Sequence, residues 1–101
     1  QHYVYRITNI KEKKYYYGSR TIKNIGDSAI EDIKNYRSSS DKWFKDDQLT
    51  NPLHYTYKIL RVFNSRIEAL IFESVLHQKF DVKNNTRFYN KANQTSTGFN
   101  T

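Results

Sequence analysis

Polar and apolar positions change period several times along the chain, and each change marks an element. Residues 2–8 (HYVYRIT) alternate with a period near two, 9–13 (NIKEK) are polar, and 14–19 (KYYYGS) are again aromatic and β-prone, which predicts a hairpin. Residues 21–27 read as a loop. Asp27 or Ser28 can then cap a short helix running to about Tyr36, with Glu31 three residues after Ser28 completing a capping box. Ser38, Ser39 and Ser40 break that helix, because short hydroxyl side chains compete for backbone hydrogen bonds; Ser40 can cap a second short helix over 41–48, which Asn51 and Pro52 stop. Residues 55–63 (YTYKILRVF) make the strongest strand pattern, apolar enough on both faces to be the central or best-covered strand. Ser65 with Glu68 opens a helix over 66–80. In it Ile67, Leu70, Ile71, Val75 and Leu76 recur at helical spacing, so the helix is expected to lay that apolar stripe on the sheet. A polar loop over 81–87 leads to Phe88, Tyr89 and Asn90 as a short closing segment. Residues 92–101 are small and polar and read as a tail or the start of a linker, which leaves 1–91 as one domain. The elements sum to an α+β domain with a small three-stranded, mainly antiparallel sheet flanked by helices.

Composition narrows the partners. A chain of 101 residues suits one domain with a single modest core. The hydrophobic share of 37% is low while aromatics reach 16%, so rings must fill much of that core. Seventeen Lys and Arg against ten Asp and Glu give a net charge of +7, which favours a polyanionic partner through phosphate contacts and counterion release; nucleic acid leads. Zero cysteines exclude disulfides and thiolate metal sites, and His2, His54 and His77 are too scattered to make a His-rich metal cluster. No apolar run approaches the roughly 18 residues of a membrane span. No signal-peptide pattern opens the sequence, so a soluble, cytoplasmic protein without membrane contact is expected.

Phosphodiester hydrolysis calls for a positioned or deprotonated water, a cation to offset charge building on the phosphoryl oxygens, and commonly a divalent metal held by carboxylate. Candidates for each are present. Tyr3-Val4-Tyr5 and Tyr16-Tyr17-Gly18, followed at once by Ser19 and Arg20, can set two phenols and a guanidinium beside one phosphodiester. In the last helix Glu73 lies one turn before His77, and the row Ala69, Glu73, His77 runs to one side of the apolar stripe, which places a carboxylate at the edge of the core. Each of these residues also has a plainer reading. Strand tyrosines pack, a helical Glu four residues before a His is often a solvated pair, and His77 reads as a neighbour of Glu73 more than as a ligand. Asn90 can close a turn through its amide. Lys11, Lys13, Lys14, Arg20, Lys23 and Lys34 form an electrostatic footprint.

Taken in order, these features resemble the GIY-YIG nuclease family, whose two name-giving blocks read here as Tyr3-Val4-Tyr5 and Tyr16-Tyr17-Gly18. Ser38-Ser39-Ser40 and the Phe88-Tyr89-Asn90 ending look most like phage-borne, homing-type members, in which such a domain is a cleavage cartridge joined to a DNA-binding region. The resemblance implies that Glu73 binds a divalent metal, Mg²⁺ or Mn²⁺, that Arg20 contacts the scissile phosphate, that Tyr5 and Tyr16 position or activate water, and that Asn90 supports the site. Tyr3 stands where the first block has Gly, which requires ordinary strand dihedrals there. Because the arginine of better-known members lies further beyond the second block, Arg37 is a rival for the phosphate, and Lys42, His77 and Tyr5 are candidates for a second general base. The expected function is a metal-dependent DNA endonuclease, in which one metal site needs a second protomer or a reorientation to cut both strands. The alternative is a non-catalytic nucleic-acid binding module that uses the same basic, aromatic surface. A third reading is an interaction module on a retired nuclease scaffold.

Overall fold

The computed structural model describes residues 1–24, 26–37 and 42–90, together with the backbone of two short strands at 93–95 and 98–100. Strands β1 (His2–Asn9), β2 (Lys14–Thr21) and β3 (Tyr55–Phe63) form an antiparallel sheet in the order β2-β1-β3. Helices α1 (Ala29–Tyr36), α2 (Lys42–Thr50) and α3 (Arg66–Phe80) accompany it, and a 3₁₀ turn at Pro52–His54 leads into β3. This is the α+β architecture expected from the patterning.

Local chemistry sets the boundaries. Asn9 closes the hairpin by accepting the N–H groups of Lys11 (3.1 Å) and Glu12 (2.9 Å) on Oδ1, while Lys13 takes a left-handed backbone with φ 55°. Tyr3, in the place of a glycine, has no such strain and sits within β1. The Ser28 and Glu31 box is complete and starts α1; Ser65 caps α3 by accepting the Glu68 N–H. Ser38, Ser39, Ser40 and Asp41, the expected break and cap before α2, lie outside the described residues.

Two expectations are corrected. The central strand is β1, buried along most of its length, whereas β3 is an edge strand and Val62 is 43% exposed. The apolar stripe of α3 does not face the sheet either. The helix buries Ala69, Glu73 and His77, and leaves Ile67, Ile71 and Val75 exposed. The reason lies in the edge strand opposite. Outward backbone groups of β2 need partners; His77 reaches the Tyr17 carbonyl and Glu73 accepts the Ser19 hydroxyl, contacts that aliphatic side chains cannot make.

The opposite side of the sheet is dry. Tyr3, Tyr5 and Ile7 of β1 pack with Ile33 of α1, Phe44 of α2 and Tyr55 in one buried cluster. Phe44 is its hub, with the rings of Tyr16, Trp43, Tyr55 and Tyr89 at centroid distances of 5.6, 5.6, 5.8 and 4.8 Å. In the stretch read as a tail, β4 (Asn93–Thr95) and β5 (Gly98–Asn100) pair antiparallel, with β4 beside α3. Among the described residues no helix is long and apolar enough to cross a membrane.

Candidate active site

Register decides which side chains meet. Tyr3 lies opposite Arg20, Tyr5 opposite Gly18 and Ile7 opposite Tyr16, so these six share the face covered by α1 and α2; Val4 with Ser19 and Arg6 with Tyr17 take the other. Gly18 matters because it has no side chain. A Cβ there would stand 2.3 Å from the Tyr5 hydroxyl, so the phenol crosses over the edge strand in the space a side chain would fill. Beside Tyr5, β3 carries a bulge at Leu60 that shifts its register against β1. Tyr16 stacks on Tyr5 at 6.3 Å. Burial pushes the Tyr5 phenol well above its ordinary pKa, with Tyr16 and then Glu73 adding to the rise. At neutral pH that hydroxyl keeps its proton and is a hydrogen-bond donor.

Arg20 is held from two sides. Its Nε donates to Asp32 Oδ2 at 2.7 Å, and its guanidinium lies 3.6 Å from the ring centroid of Tyr36. Asp32 is buried in α1 and also accepts the Tyr3 hydroxyl (2.5 Å) and the Lys23 N–H (3.2 Å). Desolvation alone would raise the Asp32 pKa. The Tyr3 and Arg20 hydrogen bonds outweigh it and hold the carboxyl below its usual range. The pair uses only Nε, so the two Nη groups remain for a ligand. Arg20 lines a cleft of about 220 Å³ at the end of β2, together with Ser19, Thr21, Tyr36 and, from α3, Ala69 and Leu70.

Glu73 approaches the same strand from the other face. Ser19 Oγ donates to its Oε1 at 2.5 Å, and His77 Nε2 lies 3.2 Å from its Oε2 and 3.2 Å from the Tyr17 carbonyl oxygen. Both partners are acceptors, so Nε2 carries the proton. Asn90 completes the edge: its Oδ1 accepts the Tyr17 N–H at 3.0 Å, and its Nδ2 donates to the Tyr17 carbonyl at 2.7 Å. Just before it, Tyr15 N–H bonds the Arg87 carbonyl and Tyr89 N–H bonds the Tyr15 carbonyl. The closing segment therefore runs along β2 as a partial strand, with the Asn90 amide in place of its last peptide. The ladder ends at Tyr17, and the cleft begins at Ser19.

The structure thus gathers Arg20, Glu73 by way of Ser19, and Tyr5 by way of Gly18 around one end of β2, with Tyr16, His77 and Asn90 behind them. The carboxylate and the phenols flank the strand and do not line the cleft among its described residues. Two candidates stand elsewhere. Lys42 is exposed and pairs with Asp46 at 2.8 Å, and Arg37 caps α1 with φ 60° and lines a different pocket beside β3. Sequence reasoning missed Asp32, Tyr36 and Ser19. A signal for Asp32 did exist, because a tyrosine and an arginine directly opposed on a hairpin call for an acceptor between them.

A metal fits in one way. No group of three or more His, Cys, Asp or Glu side chains converges among the described residues, and Asp32 is committed to Arg20. Glu73 is buried, and neither lysine nor arginine pairs with it there. A buried carboxylate with no lysine or arginine partner among the described residues suits a hard cation that keeps its waters and takes substrate phosphate as a further ligand. No protein-family model, curated protein or solved structure matches this chain.

Proposed function

We propose that the chain is a metal-dependent DNA endonuclease of the kind the GIY-YIG resemblance implies, acting in the cytoplasm. The observation that supports it most is the convergence on the end of β2: a buried carboxylate that no lysine or arginine pairs with among the described residues on one side of the strand, and a preoriented arginine on the other. Glu73 would hold Mg²⁺ or Mn²⁺, which supplies charge neutralisation at the phosphoryl oxygens and an acidified water when bound. Arg20, fixed by Asp32 and Tyr36, binds the non-bridging oxygens through its Nη groups. Tyr5 keeps its proton, so it orients water or phosphate by donating and does not act as the base. Asn90 and His77 fix Tyr17, and with it the strand that carries Gly18, Ser19 and Arg20.

Supercoiled plasmid incubated with the protein and Mg²⁺ is expected to become nicked, and EDTA to stop it. A second reading, a binding module without chemistry, is favoured by one observation: both Glu73 oxygens already accept protein donors. It predicts salt-dependent DNA binding that EDTA leaves unchanged, with no nicking.

A further inference from the structure

We propose that the pocket between the last turn of α1 and β3 is a second phosphate site, which takes a non-scissile backbone phosphate of the bound DNA; this rests on the DNA reading above. The pocket measures about 480 Å³. Its polar floor is already paired within the protein. Tyr57 donates its hydroxyl to Gln48 Oε1 at 2.7 Å, and Gln48 Nε2 donates to the carbonyls of Phe44 (3.1 Å) and Arg37 (3.2 Å). Gln48 is 1% exposed, so this floor is fixed. The Tyr55 hydroxyl is spent on Asp47.

What the walls still offer is donors: the Lys34 ammonium, the Thr56 hydroxyl and the Arg37 guanidinium, which reaches the Asn35 carbonyl through Nη1 at 3.3 Å and the Tyr57 hydroxyl, and with five N–H groups keeps donors to spare. Among the described residues no carboxylate lines the pocket, and neither Lys34 nor Arg37 has an ion pair. Two cations without a carboxylate partner among the described residues, over a satisfied floor, favour an anion. Arg37 also holds a left-handed backbone at a helix end where glycine would sit without strain, which puts a charge where most helices have none.

The place suits a strand that continues from the cleft. Tyr36 lines the cleft with Arg20, and Arg37, the next residue, lines this pocket. Adjacent Cα atoms are about 3.8 Å apart, so the two sites adjoin at the C-terminal end of α1.

The test is binding of a labelled 20-base-pair duplex by the full chain in EDTA, followed across KCl concentrations. Lys34→Gln with Arg37→Asn removes both charges, and Asn tolerates the left-handed backbone. Affinity is expected to fall at least ~10-fold, with the slope of log K against log salt shallower by about one and nicking at saturating DNA unchanged. If that variant melts early, exposed Lys34→Gln alone is expected to show a smaller loss of the same sign. Unchanged affinity and slope would overturn the proposal. So would dAMP binding to the wild type that the double variant loses while duplex affinity stays intact, because the pocket would then serve a free nucleotide. A wild type that binds as expected yet never nicks with Mg²⁺ sinks the endonuclease reading and leaves this site standing.

Discussion

The two sides of the sheet are built from different materials. Under α1 and α2, rings and aliphatic chains close a dry cluster around Phe44, and its one buried acid, Asp32, is neutralised by Arg20. Under α3 the buried row is Ala69, Glu73 and His77, held to β2 by hydrogen bonds, while aliphatic residues of the same helix face outward. The first side stabilises the fold. The second spends a helix face on polar groups although burying Ile67, Ile71 and Val75 would stabilise by roughly 1.5–3 kcal/mol each. The proposed metal-binding role of Glu73 would account for that contrast.

If the comparison holds, damage to the dry side is felt as stability. Phe44→Ala is expected to cost about 3–5 kcal/mol, read by urea unfolding; a loss under ~1 kcal/mol would show that the rings are not the main support. Asp32→Asn should cost about 1–3 kcal/mol and blunt the acid sensitivity. Its carboxyl titrates lower in the fold than in the unfolded chain, where an aspartate has a pKa of about 3.9. The stability it adds is therefore full above that value and lost as pH falls through the lower one. Melting temperature measured from pH 6 to pH 2 should drop less steeply at the acid end in the variant.

Gly18→Ala joins the two sides, because the new methyl takes the place of the Tyr5 hydroxyl. A cost of about 1–3 kcal/mol is expected with cleavage reduced far more than DNA binding; normal cleavage would place Tyr5 outside the site. The smallest effect belongs to the outer row of α3. Ile71→Ser should shift stability within about 0.5 kcal/mol, and a cost several times larger would mean that this face is covered.

Much of this architecture could be read from the chain. The turn at Asn9, the Ser28 box and the spans of β3 and α3 follow from local chemistry, and the structure places them where the patterning does. Strand order did not follow, since residues 55–63 look apolar enough for the centre and only pairing with β1 makes them an edge. Nor did the inward face of α3. Helical periodicity counts hydrophobic residues, whereas the partners that turned Glu73 and His77 inward, Ser19 and Tyr17, lie 54 and 60 residues away. The opposed Tyr3 and Arg20 called for an acceptor, but which acid supplies it was not local either, since Asp32 lies 29 residues from Tyr3 and 12 from Arg20.

The most direct measurement is plasmid nicking by Glu73→Gln beside the wild type at equal concentration with Mg²⁺, each checked by circular dichroism. Gln is close to the same shape and can still accept from Ser19, so the variant is expected to fold and bind DNA. Its nicking should fall by at least ~10³-fold, equivalent to about 4 kcal/mol of lost transition-state stabilisation. A folded Glu73→Gln protein that nicks at the wild-type rate would contradict the account.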